Sequence, residues 1–318
     1  MTVGDSTGTW FAARTFASDQ FSVADLTRRK QASGTTVSVV LPARNEAETI
    51  GAMVAAVATL AGALVDELVV VDGGSTDGTP EVAAEAGARV HHDSAILPQY
   101  GPACGKGDAL WRSLSVTSGD IVAYVDADIR NPDPRFVWGL LGPLLCEPGV
   151  QLVKGFYDRP LTVGDLRDRA GGGRVTELLA RPLLNLFWPA LAGLVQPLAG
   201  EYAGRRQLLE ALPFFTGYGV ELGLLVDTLA HAGRDAIAQV DLGVRVHNNQ
   251  PLADLSVMAY AIAKVAVRRL CDEQRATLAE ALPRTYTQFG RTDEGRVSEM
   301  RTEVAIVERP PLRSLDRP

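Results

Sequence analysis

The chain has 318 residues, of which 46% are apolar and 22% are charged. A chain of this composition can bury a large core, which excludes an intrinsically disordered protein and allows one large domain or two small ones. The formal net charge is −7. Because the chain lacks a global basic field, the composition argues against a protein that binds nucleic acid.

Cysteine content and hydropathy indicate the cellular compartment. The three cysteines include no Cys-x-x-Cys pair and leave one residue unmatched in any disulfide scheme. Acidic residues interrupt the first 30 positions, so no signal peptide is expected. Two charge-free segments, residues 49–65 and 182–198, are too short or too often interrupted to form the roughly 20 apolar residues of a membrane span. We therefore expect a cytoplasmic protein without a membrane span.

The first half of the chain alternates short apolar runs with helical patterns, which is typical of a Rossmann-like, mostly parallel sheet with helices on both faces. Three apolar runs are predicted as strands, and they cover residues 37–41, 68–71 and 121–125. Small or acidic residues follow each run. Ligands bind beyond the carboxyl ends of the strands in such sheets. We therefore expect a site at residues 42–46, 72–75 and 126–128.

Asp126 and Asp128 follow the third of these strands directly. Residues i and i+2 of an extended segment point the same way, so both carboxylates can face one hard cation such as Mg²⁺ or Mn²⁺. Unpaired carboxylates at the end of a buried strand would be costly to desolvate. The pair therefore predicts a metal site that bridges a diphosphate, with a structural turn as the alternative.

Two glycine-containing segments can bind anions. Gly105-Lys106-Gly107 ends a loop predicted over residues 92–107, directly before a helix predicted from Asp108 to Ser115. Its glycines would let the backbone approach a phosphate, and Lys106 would add a charge. Residues 171–176, Gly-Gly-Gly-Arg-Val-Thr, offer backbone donors, a guanidinium and a hydroxyl at a helix start. The alternatives are an exposed lysine in the first segment and a flexible linker in the second.

The second half is predicted to contain a strand at residues 150–156, helices at residues 220–231 and 252–271, and an alternating strand at residues 238–247. In that last strand, Val240, Leu242, Val244 and Val246 are expected on the core face. Arg245 and His247 then share the polar face. His247 can be a metal ligand only if its strand end lies beside Asp128. Residues 275–318 are polar and interrupted by proline, which predicts a loosely packed tail.

Several motifs resemble those of known glycosyltransferases. Residues 39–46 (VVLPARNE), residues 71–77 (VDGGSTD) and Asp126-Ala127-Asp128 resemble the GT-A glycosyltransferases in general. Residues 105–114, 171–178, 217–221 and 235–240, together with Arg245-x-His247, are similar to the glucosyl-3-phosphoglycerate synthases of actinobacteria. The resemblance extends from about residue 35 to residue 252. It implies a GT-A fold with an acceptor-binding C-terminal half.

The resemblance also implies an activity and residue roles. The expected reaction is a retaining transfer of glucose from UDP-glucose to the 2-hydroxyl of 3-phospho-D-glycerate, with Mg²⁺ or Mn²⁺, in a homodimer. The donor-binding residues would be Pro42, Ala43, Arg44, Glu46, Gly73, Lys106, Asp126 and Ala127. Gly173, Arg174, Thr176, Arg245 and Asn249 would bind or orient the acceptor. Asp128 and His247 would hold the metal, and Glu221 and Asp128 would be the catalytic residues, with Glu221 on the glucose hydroxyls.

Two departures from the family pattern lie in the pocket for the nucleotide base. Arg44 replaces a leucine and Gly73 replaces a serine, so these two positions bear on the choice of donor base. One alternative is a mannosyl-3-phosphoglycerate synthase that uses GDP-mannose. A more remote alternative is a membrane-associated polyprenyl-phosphate glycosyltransferase.

The expected organisation has four parts. Residues 1–34 form an N-terminal arm, residues 35–150 bind the nucleotide sugar, residues 151–250 bind the acceptor, and residues 251–318 form a C-terminal helix and tail.

Overall fold

A computed structural model describes residues 3–159, 161–163, 166–168, 173–246, 250–291 and 295–315. The helices in these ranges are α1 Val3–Arg14, α2 Val23–Ser33, α3 Ala47–Ala58, α4 Thr79–Glu85, α5 Gly105–Ser113, α6 Arg135–Cys146, α7 Arg181–Phe187, α8 Arg206–Leu209, α9 Val220–Ala232 and α10 Leu252–Asp272. A π-helix, Thr176–Ala180, directly precedes α7. Among these helices, none has both the length and the apolar character needed to cross a bilayer.

In the described parts of the chain, the strands pair into one large sheet and three two-stranded ones. They are β1 Thr15–Ala17, β2 Val37–Ala43, β3 Glu67–Asp72, β4 Arg89–His92, β5 Ile121–Tyr124, β6 Leu152–Asp158, β7 Leu161–Val163, β8 Leu166–Asp168, β9 Tyr202–Arg205, β10 Phe214–Phe215, β11 Ile237–Val244, β12 Thr285–Arg291, β13 Val297–Glu303 and β14 Glu308–Arg309. The large sheet has the order β1-β11-β6-β9-β5-β2-β3-β4. Only β9 runs antiparallel to its neighbours in this sheet.

Helices cover both faces of the sheet, as the sequence predicts. Successive residues of a strand point to opposite faces. Val39 and Leu41 belong to a core with α3 and α6, whereas Val40 belongs to a second core with α5 and α9. The two cores therefore lie on opposite sides, and the predicted mostly parallel α/β architecture is confirmed.

The N-terminal residues complete one edge of this sheet. Strand β1 pairs in parallel with β11, with Phe16 opposite Val240. Trp10 is buried, and its Nε1 donates a hydrogen bond to the carbonyl oxygen of Arg234, 3.2 Å away. These two contacts anchor residues 10–17 to β11 and to Arg234, which lies just before β11 in the chain.

The alternation predicted for the last strand of the sheet is wrong beyond Leu242. The pairing with β6 shifts register between Asp241 and Val244, and Gly243 has a φ of +84°. Such a bulge reverses the direction in which the following side chains point. Val244 and Val246 are therefore 45% and 40% exposed, whereas Arg245 is 4% exposed.

The prediction of a loosely packed tail is wrong for residues 304–315. Strands β12 and β13 form an exposed hairpin, but β14 then pairs with β10. Arg309 is buried against Asp108, and Trp111 Nε1 donates to the carbonyl oxygen of Pro310 at 2.8 Å. The prediction relied on the polar, proline-rich composition of this segment. It missed these contacts because residues far apart in sequence leave no local pattern when they pair.

Helix α5 begins at Gly105, three residues before the predicted start, and its glycines have a packing role. A Cβ atom on Gly107 would lie 2.0 Å from the carbonyl oxygen of Phe215 and 2.9 Å from Cβ of Val220. This close approach of α5 to β10 and the start of α9 needs a residue without a side chain. The glycine therefore allows Lys106 and Glu221, one on each element, to meet.

We expect Gly107→Ala to destabilise the protein by about 1–3 kcal/mol, because the added methyl group must displace backbone on β10. Urea unfolding monitored by circular dichroism measures this difference. Gly149→Ala is the matched control, because a Cβ atom there meets no atom within 4 Å. Equal stability of the two variants would contradict the close contact.

Candidate active site

A cavity of about 960 Å³ opens at the carboxyl ends of β2, β3 and β5. Every predicted site residue within the described ranges lines it. These residues are Pro42, Ala43, Arg44, Glu46, Gly73, Lys106, Asp126, Ala127, Asp128, Gly173, Arg174, Thr176, Glu221 and Arg245. His247 and Asn249 lie outside the described residues. The location agrees with the expectation that ligands bind where parallel strands end.

Lys106 connects two carboxylates at the centre of the cavity. Its Nζ lies 2.6 Å from Oδ1 of Asp126 and 3.1 Å from Oε1 of Glu221. Burial alone would lower the pKa of Lys106, but Asp126 and Glu221 outweigh burial and raise the pKa above its ordinary value. The lysine therefore stays charged, and its ammonium group lines the cavity where a diphosphate could bind.

Arg245 lines the cavity, is almost fully buried, and joins three carboxylates. Its Nη2 donates to Oδ2 of Asp126 at 3.2 Å and to Oδ1 of Asp128, and its Nη1 lies 3.2 Å from Oε1 of Glu201. Burial would raise the pKa of Asp126, but Lys106 and Arg245 outweigh burial and hold the pKa well below its ordinary value. Both Nη atoms of Arg245 thus bind protein carboxylates, and a direct contact with the acceptor stays a prediction.

Sequence reasoning missed three buried polar residues of this network. Glu201 accepts from the hydroxyl of Tyr157 at 2.5 Å, and that hydroxyl also accepts from Nη1 of Arg245 at 2.7 Å. Lys154 is 2% exposed, donates to the carbonyl oxygen of Ala199, and has its pKa lowered to about 8 by burial. One signal was available: Glu201 is the only charged residue between Arg181 and Arg205.

The antiparallel strand β9 explains why Glu201 reaches the site. In the sheet, Tyr124 of β5 is opposite Tyr202 of β9. The amino end of an antiparallel strand lies at the same edge as the carboxyl ends of its neighbours. Glu201, which directly precedes β9, therefore lies beside the residues that follow β5.

The negative charge near Glu46 fits a divalent cation. Burial, followed by the charge of Asp128 and then that of Asp126, raises the pKa of Glu46 to about 7. Asp128 offers a hard oxygen ligand whose side chain is 32% exposed. Among the described residues, no three acidic, histidine or cysteine side chains form a complete metal cluster. Mg²⁺ commonly uses one or two carboxylates together with substrate phosphates, so the donor set present here fits the predicted cation.

The raised pKa of Glu46 predicts a pH-dependent stability. The folded protein favours the neutral form of Glu46. The contribution of this group to the free energy of unfolding is therefore fully present below the ordinary pKa of 4.5 and is lost as the pH rises through about 7. Without divalent cations, we therefore expect Glu46→Gln to gain thermal stability relative to the original protein between pH 5 and pH 8. Melting curves across this range test it. Glu48→Gln is the control, because the side chain of Glu48 is 86% exposed. A difference in melting temperature between Glu46→Gln and the original protein that does not change with pH would contradict the expectation.

Gly173, Arg174 and Thr176, which are predicted to bind the acceptor, lie at the start of the π-helix. Gly173 has a φ of +82°, and Nη2 of Arg174 donates to the carbonyl oxygen of Gln250 at 2.9 Å. Thr176 is 4% exposed. Gly171 and Gly172 lie outside the described residues. The described part of this loop thus brings a guanidinium beside Gln250, and Thr176 lines the same cavity.

Both departures from the family pattern line the same cavity. Arg44 is exposed, and a Cβ atom on Gly73 would lie 3.6 Å from Cβ of Arg44 and 3.7 Å from Oδ2 of Asp93. Asp93 also lines the cavity. The absence of a side chain on Gly73 therefore leaves space between Arg44 and Asp93.

Comparisons with known proteins find glycosyltransferases among the proteins similar to this chain. Residues 38–171 match the family model described as glycosyl transferase family 2. The glucosyl-3-phosphoglycerate synthase of Mycolicibacterium smegmatis is 49% identical over 96% of this chain and 98% of that protein.

Two solved structures are similar over most of the chain. The mannosyl-3-phosphoglycerate synthase from Rubrobacter xylanophilus is 46% identical, with a TM-score of 0.89 and 98% of both chains covered. The glucosyl-3-phosphoglycerate synthase from Mycobacterium tuberculosis, in complex with Mn²⁺, UDP-glucose and phosphoglyceric acid, is 45% identical, with a TM-score of 0.80. That comparison covers 92% of this chain and 95% of the other.

Proposed function

The chain belongs to the glucosyl-3-phosphoglycerate synthases, and on that basis we propose that it transfers glucose from UDP-glucose to the 2-hydroxyl of 3-phospho-D-glycerate. The predicted GT-A glycosyltransferase fold is confirmed by the solved relatives. The observation that carries the proposal is that one cavity joins Lys106, Asp126 and Glu221 with Arg174 and Thr176. A charged lysine for a diphosphate and a guanidinium for an anionic acceptor thus face the same space.

We propose that the two substrates occupy the two ends of this cavity. Residues 35–150 would bind the nucleotide sugar, through residues 42–46, Gly73 and Lys106. Residues 151–250 would bind the acceptor, through Gly173, Arg174, Thr176 and Asn249. The separate contacts of the two groups support this division, since Lys106 contacts Asp126 and Glu221 whereas Arg174 contacts Gln250. The N-terminal arm and the C-terminal helix and tail flank both parts.

The charges of the chain prepare the cavity for two anionic substrates. Lys106 would hold the diphosphate, and Arg174 would hold the phosphate or carboxylate of the acceptor, so that two like-charged reactants can approach. Asp128, with His247, would hold Mg²⁺ or Mn²⁺. When bound, the cation would stabilise the negative charge that develops on the departing diphosphate.

We propose that the reaction retains the α-configuration of the donor sugar. In this proposal Asp126 and Asp128 serve the ribose and the metal, and Glu221, whose Oε1 lies 3.1 Å from Nζ of Lys106, serves the glucose hydroxyls. Glu221 would orient the sugar, and the departing phosphate would accept the proton of the acceptor hydroxyl on the same face. Glu221→Gln should then keep measurable turnover, because its amide oxygen still accepts a hydrogen bond.

The test is a panel of UDP- and GDP-linked glucose and mannose, each assayed with 3-phosphoglycerate and Mg²⁺ or Mn²⁺. We expect UDP-glucose to give an α-linked product in the NMR spectrum. A β-linked product would overturn the retaining assignment. Absence of transfer from UDP-glucose would overturn the proposed reaction.

A second candidate is mannosyl-3-phosphoglycerate synthesis from GDP-mannose. The similarity to the Rubrobacter xylanophilus enzyme over 98% of both chains favours it. The departures from the family pattern at Arg44 and Gly73 lie in the proposed base pocket, so they bear on the choice between the two donors. Faster turnover of GDP-mannose than of UDP-glucose in the same panel would establish it.

We also propose that the protein works in the cytoplasm as a homodimer. Cys104, Cys146 and Cys271 are free thiols, which suits a reducing compartment. Exposed apolar side chains on the β12–β13 hairpin, Phe289 and Val297, support a contact between copies. Light scattering of the purified protein would show the mass of a dimer, and a monomer at micromolar concentration would contradict the assembly.

A further inference from the structure

One buried arginine of the C-terminal segment 304–315 contacts the helix that carries Lys106. Nε and Nη2 of Arg309 each lie 2.8 Å from an oxygen of Asp108, so the two side chains form a bidentate ion pair. Arg309 also donates to the carbonyl oxygens of Tyr100 and Pro102. It is 7% exposed, and Asp108 is fully buried. Arg309 therefore holds both α5 and the loop that precedes it.

Asp108 transmits this contact to the first turn of α5. One of its oxygens accepts a hydrogen bond from the backbone N–H of Cys104 at 2.9 Å. Lys106 lies between Cys104 and Asp108 in this first turn. The chain enters the helix at Gly105, which has a φ of +70°. The orientation of this carboxylate thus fixes the backbone from which Lys106 reaches into the cavity.

The same C-terminal segment supports the other partner of Lys106. The backbone N–H of Thr216 donates to the carbonyl oxygen of Val307 at 2.9 Å, and the N–H of Val307 donates to Oγ1 of Thr216 at 3.0 Å. Thr216 directly precedes the turn that leads to Glu221. The backbone N–H of Gly217 donates in turn to the carbonyl oxygen of Cys104 at 3.2 Å. Residues 307–309 therefore lie behind both Lys106 and Glu221.

We propose that Arg309 is a positioning residue for the donor site, acting through Asp108 to place Lys106 against the diphosphate of the nucleotide sugar. The inference rests on the proposed function, because that function assigns the diphosphate to Lys106. Lysine at position 309 would keep the positive charge but lose the two-pronged contact with Asp108. The first turn of α5 would then sample more orientations, and Lys106 would lose part of its contact with the diphosphate.

The experiment is a double-mutant cycle on the full-length protein, with Arg309→Lys, Lys106→Ala and the double variant. Titration calorimetry with UDP and Mn²⁺, at a temperature where melting curves show every variant folded, gives the dissociation constants. We expect Arg309→Lys to weaken UDP binding about tenfold in the original background. In the Lys106→Ala background it should change UDP binding less than about twofold, because the residue through which it acts is gone.

Two controls separate positioning from general destabilisation. Uridine lacks the diphosphate, so its affinity, measured by competition, should be nearly equal in the original protein and in Arg309→Lys. Arg313→Lys changes an exposed arginine of the same segment and should bind UDP normally. A merely structural role of Arg309 would lower the melting temperature without a selective loss of UDP over uridine.

Equal, additive losses in the two backgrounds, or no loss of UDP affinity in Arg309→Lys, would overturn the inference. If Lys106→Ala alone leaves UDP affinity unchanged, the inference fails together with the diphosphate assignment of Lys106. The proposed reaction is judged separately, by transfer of glucose from UDP-glucose in the original protein.

Discussion

Replacing Asp128 with asparagine is expected to lower the rate of glucose transfer by about 100-fold or more. The amide lacks the negative charge that would hold the cation, and several kcal/mol of stabilisation of the departing diphosphate would be lost with it. EDTA should abolish transfer by the original protein, and added Mg²⁺ or Mn²⁺ should restore it. Calorimetry with Mn²⁺ in the presence of UDP should show the corresponding loss of metal affinity in Asp128→Asn.

The structure provides a control for this variant and a second measurement. Asp128→Asn also weakens the contact with Arg245, so melting curves must show a cooperative transition before the rate is interpreted. Asp133→Asn lies in the same loop but outside the cavity, and its amide oxygen can still accept from the backbone N–H of Arg135. It should keep nearly full activity. Unchanged Mn²⁺ affinity in Asp128→Asn would remove Asp128 from the metal site.

The strand ends of the site could be predicted because each depends on a local pattern. An apolar run of four or five residues followed by small or acidic residues specifies a buried strand and its end without reference to the rest of the chain. Strands β2, β3 and β5 follow this pattern, and parallel pairing then brings their ends together. Residues 42–46, 72–75 and 126–128 therefore meet where the sequence predicts.

The buried contacts of Arg245, Glu201 and Arg309 could not be predicted in the same way. The bulge at Gly243 turns Arg245 inward, whereas simple alternation places it on the opposite face from Val240 and Leu242. Glu201 arrives through the antiparallel strand β9, whose direction no local pattern specifies. Arg309 and Asp108 are 201 positions apart, and their pairing depends on the complete fold. Each of these features results from tertiary contacts that outweigh local preference.

The other large effect is expected at the acceptor end, where Arg174→Lys should raise the Michaelis constant for 3-phosphoglycerate about tenfold or more. A guanidinium offers two parallel donors to phosphate or carboxylate oxygens, and an ammonium group cannot reproduce this geometry. Arg174→Lys should therefore impair the enzyme nearly as much as Arg174→Ala. Steady-state kinetics with varied 3-phosphoglycerate at saturating UDP-glucose measure both variants.

The affinity for UDP decides whether this loop serves the acceptor. Arg174 donates to the carbonyl oxygen of Gln250, next to the predicted acceptor residue Asn249, whereas Lys106 contacts Asp126 and Glu221. UDP binding measured by calorimetry should therefore be nearly unchanged in Arg174→Lys. Arg268→Lys, which alters an exposed arginine on α10, should change neither quantity. An equal loss of UDP affinity and of acceptor affinity would instead assign Arg174 to the donor, and the proposed division of the cavity between the two substrates would be wrong.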